Sequence, residues 1–468
     1  MVTEAKKIKL VKQQILEKIS PSKEEEAKLK KFLRELLTVS KLKSGKDAVV
    51  CGSIGKGDWH AGNHDIDLFI LFPKSTKRDV LEDDGLLYGK QIAAEMKGEA
   101  VMKFAEHPYI KAVIQDYDVD IVPAYRIKVG EKIISAVDRS PLHLQYILKK
   151  FNDKLRDETR LLKQFMRGIG VYGSDVKTEG FSGYACELLV LNYGSFEKVL
   201  KAAVKWNPIQ VLQLKGKPNK KRLLKKFPEP LIIIDPVDKN RNVTSIVSPE
   251  RMIYFIKKSK NFLEQPDANY FEEAEPVTMD NEQMKTVKLR KTKFFSLQIE
   301  RNRDIVDDTL YPQLRRAMRR IASVLKDNEF IVMNTLLSEE TEGRIYMIFE
   351  MEVWELPAIK KMMGPFIEAK KNVKDFLAKY PPEKGFVPYI EGKIWHVDKI
   401  RENRDAVEAV RDFLTQDIEE LNKQGIPKKI AESMFQARLL EHDDFWTILK
   451  ENKTLSDLVR RKFFESMA

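Results

Sequence analysis

Apolar positions follow two rhythms along this chain, one near 3.6 residues and one of 2, and the switches between them mark its parts. Residues 1–46 follow the helical rhythm, with Leu29, Phe32, Leu33, Leu36 and Leu37 on one face. Two helices are predicted there. Ser20-Pro21-Ser22 followed by Glu24 to Glu26 is a start signal for the second: a serine oxygen accepts from the first free N–H groups, and acids suit the positive helix end. Gly45 closes it. Ala48 to Cys51 and Asp65 to Phe72 then read as strands, with a charged helix from about Asp84 to Gly98. Val101 to Ala105 reads as a short strand or a helix end. Ile110 to Ile114 and Tyr117 to Pro123 alternate as a hairpin, so the sheet is mixed rather than a plain strand–helix–strand series.

From Pro141 to about Lys260 the helical rhythm returns, marked by Leu155 to Met166 and by Tyr184 to Tyr193. The basic, Gly/Pro-broken run Lys215 to Lys226 interrupts it, and Leu231 to Ile234 is a short apolar run ending in a turn at Asp235-Pro236. Phe262 to Asn281 is acidic and polar, with Pro266 and Pro276, and reads as a linker. Beyond Thr286 the chain alternates again. Strands are expected at Lys293–Glu300, Phe330–Leu337 and Arg344–Trp354, and helices at Leu310–Leu325, Phe366–Lys379 and Arg404–Lys423. The fold class is α+β and multidomain: a mixed-sheet head over 1–140, a mainly helical central domain over 141–262 and an α/β C-terminal region over 285–468.

Composition adds a bias. Lys plus Arg number 83 against 71 Asp plus Glu, a net charge of +12 that favours a polyanionic partner. The two cysteines, Cys51 and Cys186, each lie in an apolar run and read as buried thiols of a reducing compartment. No CxxC or His/Cys cluster suggests structural zinc, and neither an apolar leader nor a membrane-spanning run is present. The expectation is a soluble cytoplasmic protein.

The chemistry concentrates in one stretch. Gly52-Ser53 ends a strand in a turn where the backbone can approach a phosphate, although the spacing is not that of a Walker A loop. Asp65 and Asp67 follow, two apart in a strand and therefore on one face. A solvated edge strand would explain them, but the flanking Ile66 and Leu68 to Phe72 predict burial on both faces, and buried carboxylates need a partner. Paired carboxylates suit a divalent ion, and all-oxygen ligands suit Mg²⁺. A third acid stands in Asp118-Val119-Asp120-Ile121; either Asp118 or Asp120 could complete the cluster. A Gly-Ser turn, an acid pair and a later strand acid are the pattern of nucleotidyl transfer, in which metal ions assist both the attacking hydroxyl and the departing pyrophosphate.

Gly52-Ser53, Asp65-x-Asp67 and Asp120 resemble the DNA polymerase beta nucleotidyltransferase superfamily. The likeness then narrows through His107-Pro108-Tyr109, Val119 to Tyr125, Ser135 to His143, Arg160-Leu161-Leu162-Lys163, Gly180 to Leu189, Asp235 to Val243, Gly364-Pro365 and Val387 to Gly392, which appear in order. Together they resemble the archaeal, class I CCA-adding enzymes (tRNA nucleotidyltransferases). That resemblance implies addition of C, C and A to the 3′ end of tRNA from CTP and ATP, with Mg²⁺ on Asp65, Asp67 and Asp120. It implies that Ser53 and Lys56 hold the nucleotide's phosphates, and that Ser140, His143, Lys163, Tyr172 and Arg241 bind the nucleotide from the second domain. Lys56 stands where the family commonly has Arg, and Asp65 where relatives often carry Glu. A lysine supplies the charge but not the bidentate fork. Lys163 would act on the triphosphate as a mobile point charge. It lies four residues before Arg167, on the same helix face.

The basic stretches Lys215 to Lys226, Lys288 to Lys293 and Arg315, Arg316, Arg319 and Arg320 are candidates to grip tRNA phosphates, where a solvated surface is the alternative. The family also suggests a homodimer. Rival readings are a poly(A) polymerase or other terminal RNA nucleotidyltransferase, an inactive RNA-binding relative, and a small-molecule nucleotidyltransferase. The second-domain motifs weigh against the first, the intact acids against the second and the long basic C-terminal region against the third.

Overall fold

A computed structural model describes residues 3–104, 107–207, 209–216 and 218–465. Ala105 and Lys217, parts of two predicted segments, lie outside them. The chain divides into two compact units, one up to Ala274 and one from Glu275.

The first unit opens with helices α1 (Glu4–Ile19) and α2 (Lys23–Ser44). Ser22, rather than Ser20, caps α2, its hydroxyl accepting from the Glu25 N–H at 3.1 Å. Strand β1 (Asp47–Val50), the short helix α3 (Gly52–Lys56), strand β2 (Asp65–Phe72), helix α4 (Arg78–Glu95) and strands β3 (Glu99–Phe104), β4 (Pro108–Ile114) and β5 (Tyr117–Tyr125) follow. Helix α4 starts six residues before the predicted Asp84, and β3 is the strand of the two predicted options. The sheet order is β1-β2-β5-β4-β3. Only β2 and β5 are parallel, so the sheet is mixed as expected.

The two-residue repeat sorts the sheet's faces. Ile66, Leu68, Ile70 and Phe72 join Phe32 and Leu36 of α2 and Leu81 and Ile92 of α4 in the main core. Phe69 packs on the other face with Cys51, Ala124 and Leu144, leaving Asp65 and Asp67 at the far end of that face. Gly85 and Gly89 let α4 lie close: a Cβ would meet Pro123 at 2.6 Å and Ile110 at 2.7 Å.

Helices α5 (Arg139–Leu148), α6 (Asp153–Gly168), α7 (Gly183–Tyr193), α8 (Phe196–Ala203), α9 (Lys220–Lys226) and α10 (Pro249–Glu264) continue the unit, with a small parallel pair, β6 (Gln210–Gln213) and β7 (Leu231–Ile234). The stretch read as a linker is packed in its first half. Phe271, 2% exposed, meets Phe165, Phe196 and Phe262 at ring distances of 5.6, 5.7 and 5.7 Å. Acidic neighbours masked this buried aromatic, and Phe262 at the start of the stretch is buried as well. Both cysteines are free and buried.

The second unit holds α11 (Asn281–Lys288) and a sheet of order β14-β8-β10-β9, built from β8 (Lys293–Glu300), β9 (Ile331–Leu337), β10 (Arg344–Val353) and β14 (Arg438–Leu440). Helix α12 (Asp307–Asp327) packs along it through Leu310, Leu314, Ile321 and Leu325. A second sheet of order β11-β13-β12 uses β11 (Ile359–Phe366), β12 (Tyr389–Glu391) and β13 (Ile394–Ile400). The predicted helix from Phe366 is α13 (Lys370–Lys379) only, because β11 runs through Phe366. The predicted helix 404–423 is two, Ala406–Leu414 and Ile418–Lys423, divided where Asp417 caps the second. Among the described residues no helix is long and apolar enough to cross a membrane.

Candidate active site

Strand β1 is followed by Cys51, whose N–H donates to the Asp67 carbonyl at 2.8 Å. The chain then turns at Gly52, with φ of +62°. A Cβ on Gly52 would lie 2.1 Å from Asp67 Oδ2, so only glycine lets the loop pass this carboxylate. Residues from Ser53 to Lys56 wind into α3, which Gly57 ends at φ +77°.

Parallel pairing of β2 and β5 sets Asp65 opposite Asp118 and Asp67 opposite Asp120, so four carboxylates share one end of one face. Their surroundings separate them. Asp118 pairs with Lys111 at 3.4 Å. Asp120 has a buried Oδ1 with no hydrogen-bond partner. Burial pushes Asp67 up to about 6, helped by Asp120 and less by Asp65, and burial raises Asp120 too. An orphaned carboxylate oxygen beside a second carboxylate that resists ionisation is what a divalent cation relieves. This favours Asp120 over Asp118 as the third acid. Among the described residues no three His, Cys, Asp or Glu side chains stand gathered for one ion.

Asp65 and Asp67 border a cavity of about 380 Å³ whose walls include Gly52, Ser53, Lys56, Asp58, His60, Lys163, Arg167, Tyr172, Tyr184 and Glu187. A larger cavity of about 650 Å³, between α2 and α6, holds none of the predicted site residues. Helix α6 supplies Lys163 and Arg167 to the smaller cavity's wall and fixes its loop. Arg160 donates to the carbonyls of Trp59 at 2.9 Å and Gly57 at 2.7 Å, and Arg156 to that of Lys56 at 3.2 Å.

The two site lysines are buried in a charge network. Lys163 Nζ donates to Asp58 Oδ2 at 2.7 Å and lies 3.5 Å from Glu187 Oε1, while Lys56 Nζ donates to Glu187 Oε1 at 3.0 Å. Burial works against the charge on Lys163, but Asp58 and Glu187 outweigh it and hold its pKa above the usual value. Lys163 is therefore a clamped cation, not the mobile one expected. The Lys56 ammonium also lies 5.2 Å from the centre of the Tyr184 ring.

Two further predicted residues, His143 and Arg241, form a second cluster around Asp235 and Tyr184. His143 Nε2 meets Asp235 Oδ2 at 2.8 Å, and its ring stacks on Tyr184 at 3.8 Å. Arg241 donates to the same Oδ2 at 3.1 Å. His143, Arg241, Ser140 and Asp120 do not line the cavity itself. Sequence reasoning missed Asp58, His60 and Glu187. The signal for Glu187 was present: it is an acid inside the otherwise apolar run Tyr184 to Leu191.

Comparison with known families covers most of this framework. Residues 27–143 match a nucleotidyltransferase domain, 157–272 the second domain of tRNA nucleotidyltransferase and 290–441 the C-terminal domain of CCA-adding enzyme. A CCA-adding enzyme of Methanothermobacter thermautotrophicus is 38% identical over 79% of this chain and 79% of its own. The chain belongs to the CCA-adding enzyme family. Relatives of the same name from Methanocaldococcus jannaschii and Archaeoglobus fulgidus are 37% and 34% identical, over 80% and 85% of this chain and 84% and 86% of theirs.

For a CCA-adding enzyme the basic surfaces matter next, and the structure sorts them. On α12, Arg316 and Arg319 are exposed, whereas Arg320 lies 3.4 Å from Gln424 and 3.8 Å from Asp327. Lys220, Lys221, Arg222 and Lys225 stand exposed on α9. The Lys288 to Lys293 stretch is partly committed within its unit, Arg290 to Glu350 at 2.7 Å and Lys293 to Asp405 at 3.2 Å, while Lys288 and Lys291 are exposed.

Proposed function

We propose that this protein adds C, C and A to the 3′ end of tRNA without a template, using CTP and ATP and releasing pyrophosphate. The observation that carries the reading is the register of β2 and β5, with Asp67 beside Asp120 and both next to the Gly52-Ser53 turn, in a chain of the CCA-adding family. Asp65, Asp67 and Asp120 would hold Mg²⁺. The orphaned Asp120 Oδ1 and the all-oxygen donor set support that fit. The ion, when bound, supplies positive charge to the attacking and leaving oxygens.

The chain's own residues do the positioning. The Ser53 hydroxyl and the Lys56 and Lys163 ammoniums would face the phosphates. Tyr172 and Tyr184 offer ring surfaces in the cavity wall. His143, Ser140 and Arg241 would orient the nucleotide, the first and last through Asp235, which restricts both side chains. The exposed arginines of α12 and the basic α9 would grip tRNA phosphates, which positions the RNA without reading its sequence. We read the chain as three functional parts, 1–140, 141–262 and 285–468, acting in the cytoplasm as a homodimer. Sedimentation of the purified protein tests the last point: a monomer at micromolar concentration would overturn it.

The deciding assay mixes the protein with Mg²⁺, tRNA lacking its CCA end, and labelled CTP and ATP singly and together. Growth by two C and one A is expected. Long A tails would mark a poly(A) polymerase, and tRNA binding without extension an inactive relative; either result overturns the proposal.

A further inference from the structure

The cavity wall contains three cations, and they are not equivalent. Lys56 and Lys163 are matched by Glu187 and Asp58, two ammoniums against two buried carboxylates. The remaining charges segregate: Asp65 and Asp67 on the strand side, Arg167 on the α6 side. Among the described residues Arg167 has no carboxylate partner. Its contacts are the His60 ring nitrogen Nδ1, 2.5 Å from its Nη1, and the Tyr172 ring, 4.6 Å from its guanidinium carbon.

His60 is set to receive that contact. Its Nε2 lies 3.0 Å from the Arg160 carbonyl oxygen, which can only accept, so Nε2 carries the proton and Nδ1 presents a lone pair. Burial first, and Arg167 next, push its pKa down to about 3, so the ring is a neutral acceptor. One Arg167 N–H is thus used within the protein, and the ring beneath fixes the plane. The other donors of the half-buried guanidinium remain for a ligand.

We infer that Arg167, aimed by His60 and Tyr172, is a further cation that binds the triphosphate of the incoming nucleotide, beside the fixed ammoniums of Lys56 and Lys163, and that His60 is its positioning residue. The inference rests on the proposed CCA-adding reading and deepens it. A nucleotide is favoured over RNA because a cavity of about 380 Å³ suits one small ligand, not a nucleic-acid helix. A triphosphate is favoured over a base because an unmatched, planar, multi-donor cation fits phosphate oxygens bidentately.

Two measurements test it. The first is KM and kcat for CTP and for ATP with tRNA lacking the relevant end. Arg167→Ala should raise both nucleotide KM values by roughly 10- to 100-fold, the range for a lost charge-assisted contact, with a smaller change in kcat. Arg167→Lys should recover part of the loss. His60→Ala should raise KM less, and His60→Gln, which keeps one donor and one acceptor, should restore it. The second is binding of a non-hydrolysable CTP analogue without RNA, beside binding of tRNA without nucleotide. Arg167→Ala should lose the first and leave the second within about twofold. Melting curves check folding; if Arg167→Ala is unfolded at assay temperature, Arg167→Gln makes the same comparison. Unchanged KM values, or tRNA affinity falling as far as analogue affinity, would overturn the inference. A wild-type protein that binds the analogue but adds no C or A would instead overturn the CCA-adding reading and leave this one standing.

Discussion

Gly52→Ala offers a sharp test of the acid cluster, because one methyl group acts on one carboxylate. Two effects are expected and can be separated. The first is backbone strain: alanine at φ +62° costs about 1–2 kcal/mol. The second is overlap: the new Cβ would sit 2.1 Å from Asp67 Oδ2, where real Cβ contacts stay beyond 3.0 Å, so the carboxylate must move by at least 3.0 − 2.1, or 0.9 Å. A displacement of about 1 Å at a reacting centre costs on the order of a hundredfold in rate. Gly45→Ala is the control. Gly45 has φ of +64° and nothing within 4 Å of its would-be Cβ, so it carries the strain without the overlap. The assay is single-turnover addition of C to tRNA lacking CCA, with melting temperatures alongside. Both variants should lose similar stability, and only Gly52→Ala should lose about a hundredfold in rate. Equal activity in the two variants would refute the claim that Gly52 exists to admit Asp67.

Other outcomes follow from the same geometry. Asp67→Asn should abolish extension while leaving tRNA affinity within about twofold, as measured by filter binding. Because the Asp67 pKa is raised from 3.8 to about 6, folding of the ion-free protein favours its protonated form. That contribution to stability is complete below pH 3.8 and is lost as pH rises through 6, so ion-free Asp67→Asn should melt higher than wild type at pH 8, by the equivalent of about 1–3 kcal/mol. The ion must displace the same proton, so the acid limb of activity should fall near pH 6, and tenfold more Mg²⁺ should move it about one pH unit lower. An acid limb indifferent to Mg²⁺ would remove Asp67 from the metal set. Arg316→Ala with Arg319→Ala should weaken tRNA binding and lower its salt slope by about 1–2; an unchanged slope returns α12 to an ordinary solvated surface. Phe271→Ala should cost about 3–5 kcal/mol in denaturant unfolding, as a core aromatic does and a linker residue does not.

The catalytic half-site was legible because strands write their geometry into sequence with a period of two. Asp65 and Asp67 had to share a face, and the apolar residues around them had to bury it. What a strand cannot announce is its neighbour. Nothing local pairs Asp67 with Asp120 rather than with Asp118; parallel register, set by two segments about fifty residues apart, makes that choice. The same limit explains the missed strand pair Gln210–Gln213 and Leu231–Ile234, whose partners are far apart in sequence and individually short. Phe271 shows the reverse failure. Acidic and proline-rich neighbours gave the composition of a linker, yet two aromatic rings, Phe262 and Phe271, pin its first half to the core.

Lys163 marks the point where residue-by-residue resemblance and physical chemistry diverge. The resemblance makes it a triphosphate ligand, and an exposed lysine could move to meet one. Here its ammonium is buried and held by Asp58 at 2.7 Å, with Glu187 at 3.5 Å. Drawing it toward a phosphate would leave a buried carboxylate uncompensated, which costs several kcal/mol. Lys56 faces the same constraint through Glu187. The network therefore acts less as a reservoir of free positive charge than as a rigid, nearly neutral floor that fixes where α6 and α7 meet the Gly52-Ser53 turn. On such a floor a cation with no acid partner has the larger effect on an arriving triphosphate, and in the described cavity wall that cation is Arg167.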